Sequence, residues 1–373
     1  MRNSLLYFIS IILISCSSDT ESSPGIITDS NNNTQLYFPP IDNSEWEQTS
    51  PESLNWNLQE IENLKSFLFE NNTRGFIILK DGRIVIEEYW DNNILNTSNF
   101  NENTIWYWAS AGKTITALLT GIAQEQNLLS VSDKTSDYLG SGWSSLTIDQ
   151  ESAIIIEHQL TMTTGLDYTV SNLNCTDNDC LTYKTDPETK WYYHNASYTL
   201  LENVISNAAN TSYNDFTNTY LSNKIGISNG EWRTTTEGFN TIFWSTTKDA
   251  ARFGLLLLNE GQWDQELILN DLDYFNSMTT SSQNLNISYG YLTWLNGKET
   301  ISYPGSSLVF NESLSENAPA DLFAAIGANG QFIDVVPSEN IVVVRLGEIP
   351  SDSSLVPATF HNEMWEKINA ILP

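Results

Sequence analysis

The sequence predicts an α/β protein in which one strand-rich domain is assembled from both ends of the chain and a mostly helical domain is inserted between them. Three observations predict this arrangement. A β-hairpin pattern lies near the N-terminal end, strand patterns recur near the C-terminal end, and the residues between them carry mainly helical patterns. With 373 residues, the chain is long enough for two domains or one large one with a sizeable core.

The N-terminal part of the strand-rich domain has three predicted elements. Residues 54–69 carry apolar side chains at helical spacing. Two β-rich runs, residues 75–80 and 83–89, are joined by Asp-Gly, a pair typical of a tight hairpin turn. Residues 110–124 are nearly all small or apolar, which indicates a buried helix.

The rest of the chain supplies the inserted helices and the closing strands. The clearest helices of the middle segment are predicted over residues 198–208 and 249–258. The C-terminal elements are three strands and an amphipathic helix, predicted at residues 322–326, 331–336, 341–346 and 358–371. The predicted domains are therefore residues 44–124 plus 286–373 for the α/β domain and residues 125–285 for the helical domain.

The first 43 residues carry targeting features. An apolar run over residues 5–14, too short to span a bilayer, follows Arg2 and leads into Ser15-Cys16. This pattern resembles a bacterial lipoprotein signal, so we expect residues 1–15 to be removed, Cys16 to be lipidated and residues 16–43 to form a flexible tether. The expected product is an exported lipoprotein, periplasmic or on the cell surface, held to the membrane by its lipid. An ordinary signal peptide with an incidental cysteine is the alternative.

Composition excludes several classes of protein. The 46 acidic residues outnumber the 16 basic ones, and the formal net charge of −30 repels phosphate, so no nucleic-acid partner is expected. A chain that is 40% hydrophobic and 12% aromatic is not disordered. Three histidines and three cysteines leave little material for a metal cluster, and no phosphate-binding loop is found, so no metal or cofactor is expected.

Two cysteines remain once Cys16 is assigned to the lipid. Cys175 and Cys180 lie in an Asn- and Asp-rich segment, and outside the cytoplasm such a pair is expected to form a disulfide. A metal site is the weaker alternative, because no histidine or third cysteine lies nearby.

The candidate nucleophile is Ser110, which begins the predicted buried helix. Lys113 follows three residues later, so both side chains share one helix face. A serine hydroxyl needs a base to take its proton, and a lysine can be that base when burial lowers its pKa. The alternative is a buried helix start with a snorkelling lysine. A second Ser-x-x-Lys, Ser245 to Lys248, is explained by Ser245 acting as the N-cap of the next helix.

Two downstream segments carry complementary chemistry. Tyr193 and Asn195 lie two residues apart just before a helix, so in extended backbone they point to the same side. A phenol there can relay the serine proton, and an amide can hold a substrate carbonyl. The Gly327-to-Gly330 segment lets a substrate approach a strand edge, where a backbone N–H can help to form an oxyanion hole.

In this order the three segments resemble the serine β-lactamase and penicillin-binding protein superfamily, specifically the class C β-lactamase-related hydrolases. Ser110 and Lys113 match the family's Ser-x-x-Lys, and Tyr193 and Asn195 match its Tyr-x-Asn. The resemblance covers residue 55 to the C-terminus. It implies a β-lactamase/transpeptidase-like fold, with an antiparallel sheet flanked by N- and C-terminal helices and an active site at the domain interface.

The resemblance also implies roles for these residues. Ser110 is the nucleophile, Lys113 and Tyr193 share the general-base and general-acid roles, and Asn195 positions the substrate. The backbone N–H groups of Ser110 and Ala328 are expected to hold the oxyanion, with Gly327 beside Ala328 on the strand.

One departure bears on the substrate. The family's third motif, Lys-Thr-Gly or His-x-Gly, aligns with Ala325-Ile326-Gly327, which has no cation or hydroxyl. The resemblance therefore favours the ester- and amide-hydrolysing branches, with a small-molecule or peptide-like ester or amide as substrate. A true β-lactamase or D-Ala-D-Ala carboxypeptidase is the alternative enzyme, and a non-catalytic surface-binding lipoprotein is the alternative of another class.

Other conspicuous residues are predicted to lie outside the catalytic group. His194 is predicted to be structural, because its side chain should point away from those of Tyr193 and Asn195; a Ser-His-Asp triad through His194 is the remaining alternative. Arg345 is expected to emerge at a strand end. Three aromatic residues are predicted to belong to the core, with lining of the cleft as the alternative, namely Trp108, Tyr168 and Trp294.

Overall fold

The computed structural model describes residues 36–42, 45–351 and 356–373. The predicted signal peptide, the lipidation site Cys16 and most of the predicted tether lie outside the described residues. Within the described part of the chain, the search for an apolar helix long enough to cross a bilayer finds none.

A six-stranded antiparallel sheet joins the two ends of the chain. Its strands are β1 (Thr73–Lys80), β2 (Arg83–Tyr89), β8 (Trp294–Leu295), β9 (Phe323–Gly327), β10 (Gln331–Val336) and β11 (Ile341–Gly347). Their order across the sheet is β2-β1-β11-β10-β9-β8, so the N-terminal hairpin lies directly beside the last strand. The predicted hairpin and the three predicted C-terminal strands are therefore confirmed.

Helices cover both faces of this sheet, which explains the unbroken apolar runs of its central strands. The first helix α1 (Leu58–Glu70) and the last helix α11 (Ala358–Ile371) pack together, and α11 lies against Phe332 of β10. Helix α9 (Thr247–Leu258) covers the opposite face, where a Cβ on Gly254 would lie 2.4 Å from Val342 Cγ1. The expected sheet flanked by N- and C-terminal helices is present.

The hairpin turn also holds the first described residues. Asp81 and Gly82 both have positive φ, 51° and 80°, the conformation that an Asp-Gly hairpin turn requires. The N–H of Tyr37 donates to the Asp81 carbonyl, and Phe38 packs edge-on against Trp263. Residues 36–42 were included in the predicted tether, but here they lie against the folded part because their aromatic side chains are partly buried on it.

The middle of the chain is helical with additional short strands. Its helices are α2 (Gly112–Glu125), α3 (Thr135–Leu139), α4 (Ile148–Ser152), α5 (Ile156–Leu160), α6 (Asn195–Ala209), α7 (Tyr213–Thr217), α8 (Asn223–Ile225) and α10 (Leu272–Thr279). The strands are β3 (Trp106–Tyr107), β4 (Glu231–Thr234), β5 (Thr241–Ser245), β6 (Gln262–Trp263) and β7 (Glu266–Leu267). The three-stranded sheet β3-β5-β4 was not predicted, because its strands are short and β3 pairs with a strand far along the chain. The two-domain boundaries stay a prediction.

Two predictions about single residues are wrong. Thr246, not Ser245, is the N-cap of α9: its hydroxyl accepts from the N–H of Asp249, whereas Ser245 is fully buried. Arg345 does not emerge at a strand end. Its guanidinium is fully buried and donates to the backbone carbonyls of Asn329 and Gly330 at 2.6 and 2.9 Å. Backbone carbonyls of the loop between β9 and β10 line this enclosed site, and the arginine supplies them with hydrogen-bond donors.

Candidate active site

Ser110 lies in a single 3₁₀ turn, Ala109–Ala111, that leads into α2. The turn is fixed from behind by Trp108, whose backbone N–H donates to the Phe243 carbonyl and whose indole Nε1 donates to Ser245 Oγ at 2.9 Å. Ala109 has a φ of +48°, a strained conformation for a residue with a Cβ. This turn leaves Ser110 partly accessible while its neighbours are anchored in the core.

Lys113 lies one helical turn below Ser110 and is almost fully buried. Its Nζ lies 2.9 Å from Ser110 Oγ, within hydrogen-bonding distance, and 4.0 Å from the centre of the Tyr198 ring. Burial lowers the pKa of Lys113 to about 7, although the carboxylate of Glu202 raises it in part. An amine that loses its proton near neutral pH can accept the proton of the serine hydroxyl.

Tyr193 precedes α6 and places its phenol at the same hydroxyl. The phenol and the Ser110 hydroxyl are hydrogen-bonded, and the Tyr193 ring stacks on Trp294 with ring centres 6.0 Å apart. Burial raises the pKa of Tyr193 well above its usual range, although the Ser110 hydrogen bond opposes this. The phenol is therefore neutral at pH 7, which suits it to pass a proton and leaves Lys113 as the stronger candidate for the base.

Asn195 is the first residue of α6. Its Nδ2 donates to Asn174 Oδ1 at 2.8 Å, and its own Oδ1 is buried without a hydrogen-bond partner in the described structure.

His194, between Tyr193 and Asn195, lines a separate small pocket beside Tyr168, and Ser110 is not among the residues of that pocket. Burial lowers the pKa of His194 to about 4. The structure thus does not assemble the alternative serine–histidine pair.

The end of β9 lies directly against the Ser110 turn. A Cβ on Gly327 would lie 2.2 Å from the Trp108 carbonyl oxygen and 3.0 Å from the Ala111 nitrogen, so a glycine permits this approach. Gly327 and Ala328 line the same pocket as Ser110. Arg345 holds the following turn through the Asn329 and Gly330 carbonyls.

One pocket of about 120 Å³ brings the predicted residues together. Ser110, Tyr193, Asn195, Gly327 and Ala328 line it, and Lys113 lies beneath Ser110. The remaining lining residues are neutral and mostly apolar: Leu173, Trp294, Pro304, Gly305, Ile326 and Val356. No charged side chain lines this pocket in the part of the chain that the structure describes.

Sequence reasoning missed two neighbours of the site. Trp294 is not one of them, because it belongs to the core as predicted, with 2% of its surface exposed, and also lines the pocket. Tyr198 and Glu202, three and seven residues after Asn195, lie near Lys113. Helical spacing from Asn195 could have identified both, because such positions share one face.

The predicted disulfide between Cys175 and Cys180 is present and supports one wall of the pocket. The segment just before Cys175 carries Leu173 to the pocket and Asn174 to Asn195. The bond therefore restrains the loop that meets the first turn of α6.

Comparison with known proteins identifies the family. A family model described as Beta-lactamase matches residues 70–352. No curated protein sequence matches the chain.

No group of three or more His, Cys, Asp or Glu side chains among the described residues could hold a metal ion.

Several solved structures share the fold. A candidate β-lactamase from Bacteroides dorei superposes with a TM-score of 0.66 at 14% identity, covering 85% of this chain and 99% of its own. A candidate 6-aminohexanoate-dimer hydrolase from Bacillus anthracis gives 0.65 at 17% identity, covering 89% of each chain. EstCE1, a hydrolase with promiscuous acyltransferase activity, gives 0.61 at 15% identity, covering 85% of this chain and 98% of its own. At these identities the likeness establishes the fold.

Proposed function

We propose that this chain, which belongs to the beta-lactamase family, is a serine hydrolase that cleaves an ester or amide bond through an acyl-enzyme on Ser110. The observation that carries the proposal is the 2.9 Å contact between Lys113 Nζ and Ser110 Oγ, at the edge of the pocket of about 120 Å³. The neutral phenol of Tyr193 at the same hydroxyl adds a proton path.

The proposed reaction balances its protons within these three residues. Neutral Lys113 takes the Ser110 proton as Oγ attacks the substrate carbonyl carbon. The bond to the leaving group then breaks, and the proton passes from Lys113 through Tyr193 to the departing oxygen or nitrogen. A water molecule attacks the acyl-enzyme by the same route in reverse and frees Ser110.

Backbone groups complete the proposed site. The N–H groups of Ser110 and Ala328 are assigned to the oxyanion, and loss of one such donor typically costs about 3 kcal/mol of transition-state stabilisation. Asn195 offers its unpartnered Oδ1 to an N–H or O–H of the substrate. The absence of a charged side chain from the described pocket lining supports a neutral ester or amide over a substrate bound by its carboxylate.

A fluorophosphonate probe tests the nucleophile directly. Wild type should be labelled, Ser110→Ala should not, and Ser245→Ala should still be labelled. Ser245 is the matched control, because it belongs to the second Ser-x-x-Lys but is fully buried beneath Trp108. Equal labelling of all three proteins would show that Ser110 is not the nucleophile.

A substrate panel separates the remaining functions. Neutral p-nitrophenyl esters and amides should be turned over faster than nitrocefin or D-Ala-D-Ala peptides, because no cationic side chain is among the described lining residues to bind the carboxylate of either anion. Comparable rates on nitrocefin would favour the β-lactamase alternative. Absence of any labelling in a protein with a cooperative thermal transition would favour the binding lipoprotein.

We also propose that the protein is exported and anchored through a lipid on Cys16, on the pattern of residues 5–16 alone. Wild type should fractionate with membranes and incorporate a fatty-acid probe, and Cys16→Ser should do neither. Membrane association that survives Cys16→Ser would refute the anchor.

A further inference from the structure

Glu202 is a buried carboxyl group that the proposed mechanism leaves unused. It lies on α6 with 7% of its surface exposed, and it accepts a hydrogen bond from the Thr241 hydroxyl of β5. Burying a carboxylate destabilises the fold unless a nearby charge or hydrogen bond stabilises it. A buried carboxyl group beside the reacting groups is therefore a candidate functional residue.

Helix α6 aligns this carboxyl with the reacting groups. Asn195, Tyr198 and Glu202 occupy positions i, i+3 and i+7, which share one helix face. That face packs against α2, where Lys113 Nζ lies 4.0 Å from the centre of the Tyr198 ring. Glu202 therefore lies one helical turn beyond the ring on which the Lys113 amine rests.

We propose that Glu202 is a positioning residue that stabilises the ammonium group formed on Lys113 when Ser110 attacks the substrate. The inference rests on the proposed function of Ser110 and Lys113. Glu202 forms no bond and transfers no proton in this scheme. It stays ionised while the Ser110 proton moves to Lys113 and on to the leaving group, and the electron-rich face of Tyr198 adds to the stabilisation.

The phenols of the buried cluster that contains Lys113 and Glu202 cannot supply this charge. Burial raises the pKa of each phenol well above its usual range, so each is neutral at pH 7: Tyr193 and Tyr198 at Lys113, Tyr213 near Glu202, and Tyr289 beside Tyr193. Burial also raises the pKa of Glu202 to about 7, while the Thr241 hydroxyl and the Lys113 charge lower it. A carboxylate that Lys113 itself stabilises is most fully ionised when Lys113 carries its proton, which is when the charge is needed.

The pH dependence of Ser110 labelling by a fluorophosphonate tests this role, because labelling requires neutral Lys113. The acidic limb of the pH profile is the range over which the labelling rate rises as Lys113 loses its proton. Removing a neighbouring carboxylate lowers the pKa of an amine, so Glu202→Gln should shift this limb about one pH unit lower. The plateau rate should fall up to about tenfold, the factor that corresponds to one unit. Glu202→Asp keeps the charge and should keep the limb near that of wild type.

Glu151→Gln is the matched control. Glu151 is equally buried, but it accepts from the Gly142 and Ser144 N–H groups, and no reacting group is among its hydrogen-bond partners. Its substitution should lower thermal stability and leave the limb in place. If Glu202→Gln does not fold, Thr241→Val serves instead: it weakens the ionised form of Glu202 and should move the limb in the same direction by a smaller amount.

The outcomes separate the inference from the function on which it rests. An unchanged limb and plateau in a folded Glu202→Gln, with wild type labelled at Ser110, would overturn the role of Glu202 alone. A wild type that is not labelled at Ser110 would overturn the proposed function, and this inference with it.

Discussion

Gly327 lies so close to the Trp108 carbonyl oxygen that a Cβ built on the glycine would be 2.2 Å from that atom. The contact joins the end of β9, the neighbour of the edge strand β8, to the turn that carries Ser110. Both partners are backbone, so no rotation of a side chain can relieve an added methyl group.

Gly327→Ala should therefore displace β9 from the Ser110 turn and disturb the assigned oxyanion site. We expect Ser110 labelling to slow at least tenfold while the circular dichroism spectrum stays native, since loss of an oxyanion donor costs about that much or more. Gly140→Ala is the control, because that glycine has a φ of 81° with open space around it. Gly140→Ala should lower the free energy of unfolding by about 1–2 kcal/mol and leave the labelling rate unchanged.

Lys113→Met should remove the base while improving stability. Wild-type labelling should rise with pH through about 7, where Lys113 loses its proton, and Lys113→Met should label at least about 100-fold more slowly at every pH. In the unfolded chain the lysine keeps its proton up to a much higher pH, so burying it destabilises the fold at neutral pH and below. The midpoint of thermal unfolding at pH 7 should therefore rise in Lys113→Met, and an unchanged labelling rate would contradict the assignment.

Tyr193→Phe should keep the fold and lose the proton relay. The ring contacts with Trp294 and Tyr289 remain, since only the hydroxyl is removed. Turnover should fall about 100-fold. Tyr192→Phe, whose ring stacks on Tyr168 beside the other pocket, should keep wild-type turnover. Similar rates for the two variants would exclude a relay through Tyr193.

Removing the disulfide should affect both stability and the site. In the chain-entropy model, a bond that closes so short a loop stabilises the fold by about 2 kcal/mol. Cys175→Ser with Cys180→Ser should lose about that much in urea unfolding. It should also raise KM several-fold, because Leu173 and Asn174 adjoin the bond. An unchanged KM would show that the loop holds its position without the disulfide.

Arg345→Met should destabilise the protein by at least about 3 kcal/mol. The guanidinium donates to four backbone carbonyls, two of them in buried hydrogen bonds, those of Asn71 and Gly330. Each of these two carbonyls left buried and unpaired costs about 1–3 kcal/mol. Arg345→Lys should recover only part of the loss, because an ammonium cannot reproduce the planar fork. Urea unfolding measures both changes, and a Met variant as stable as wild type would contradict this account.

The sequence predicted the local elements closely. The hairpin followed from Asp81 and Gly82, and α11 followed from its apolar period, because both signals lie within a few residues of the structure they specify. It also identified the residues that meet at the pocket, since the order of Ser110, Tyr193 and Asn195 carries a family pattern. Arg345 was misjudged, because its burial and its backbone partners depend on segments that are distant in the chain.

The sequence by itself determined the elements of the sheet, the disulfide pair and the candidate nucleophile with its amine, because periodicity, turn chemistry and spacing are local properties. Only the tertiary structure decided that Gly327 lies against the Ser110 turn, that Ser245 is buried beneath Trp108, and that Glu202 lies near Lys113. These relations depend on how α2, α6 and β9 pack, and packing is set by the shape and charge of side chains that come from remote parts of the chain.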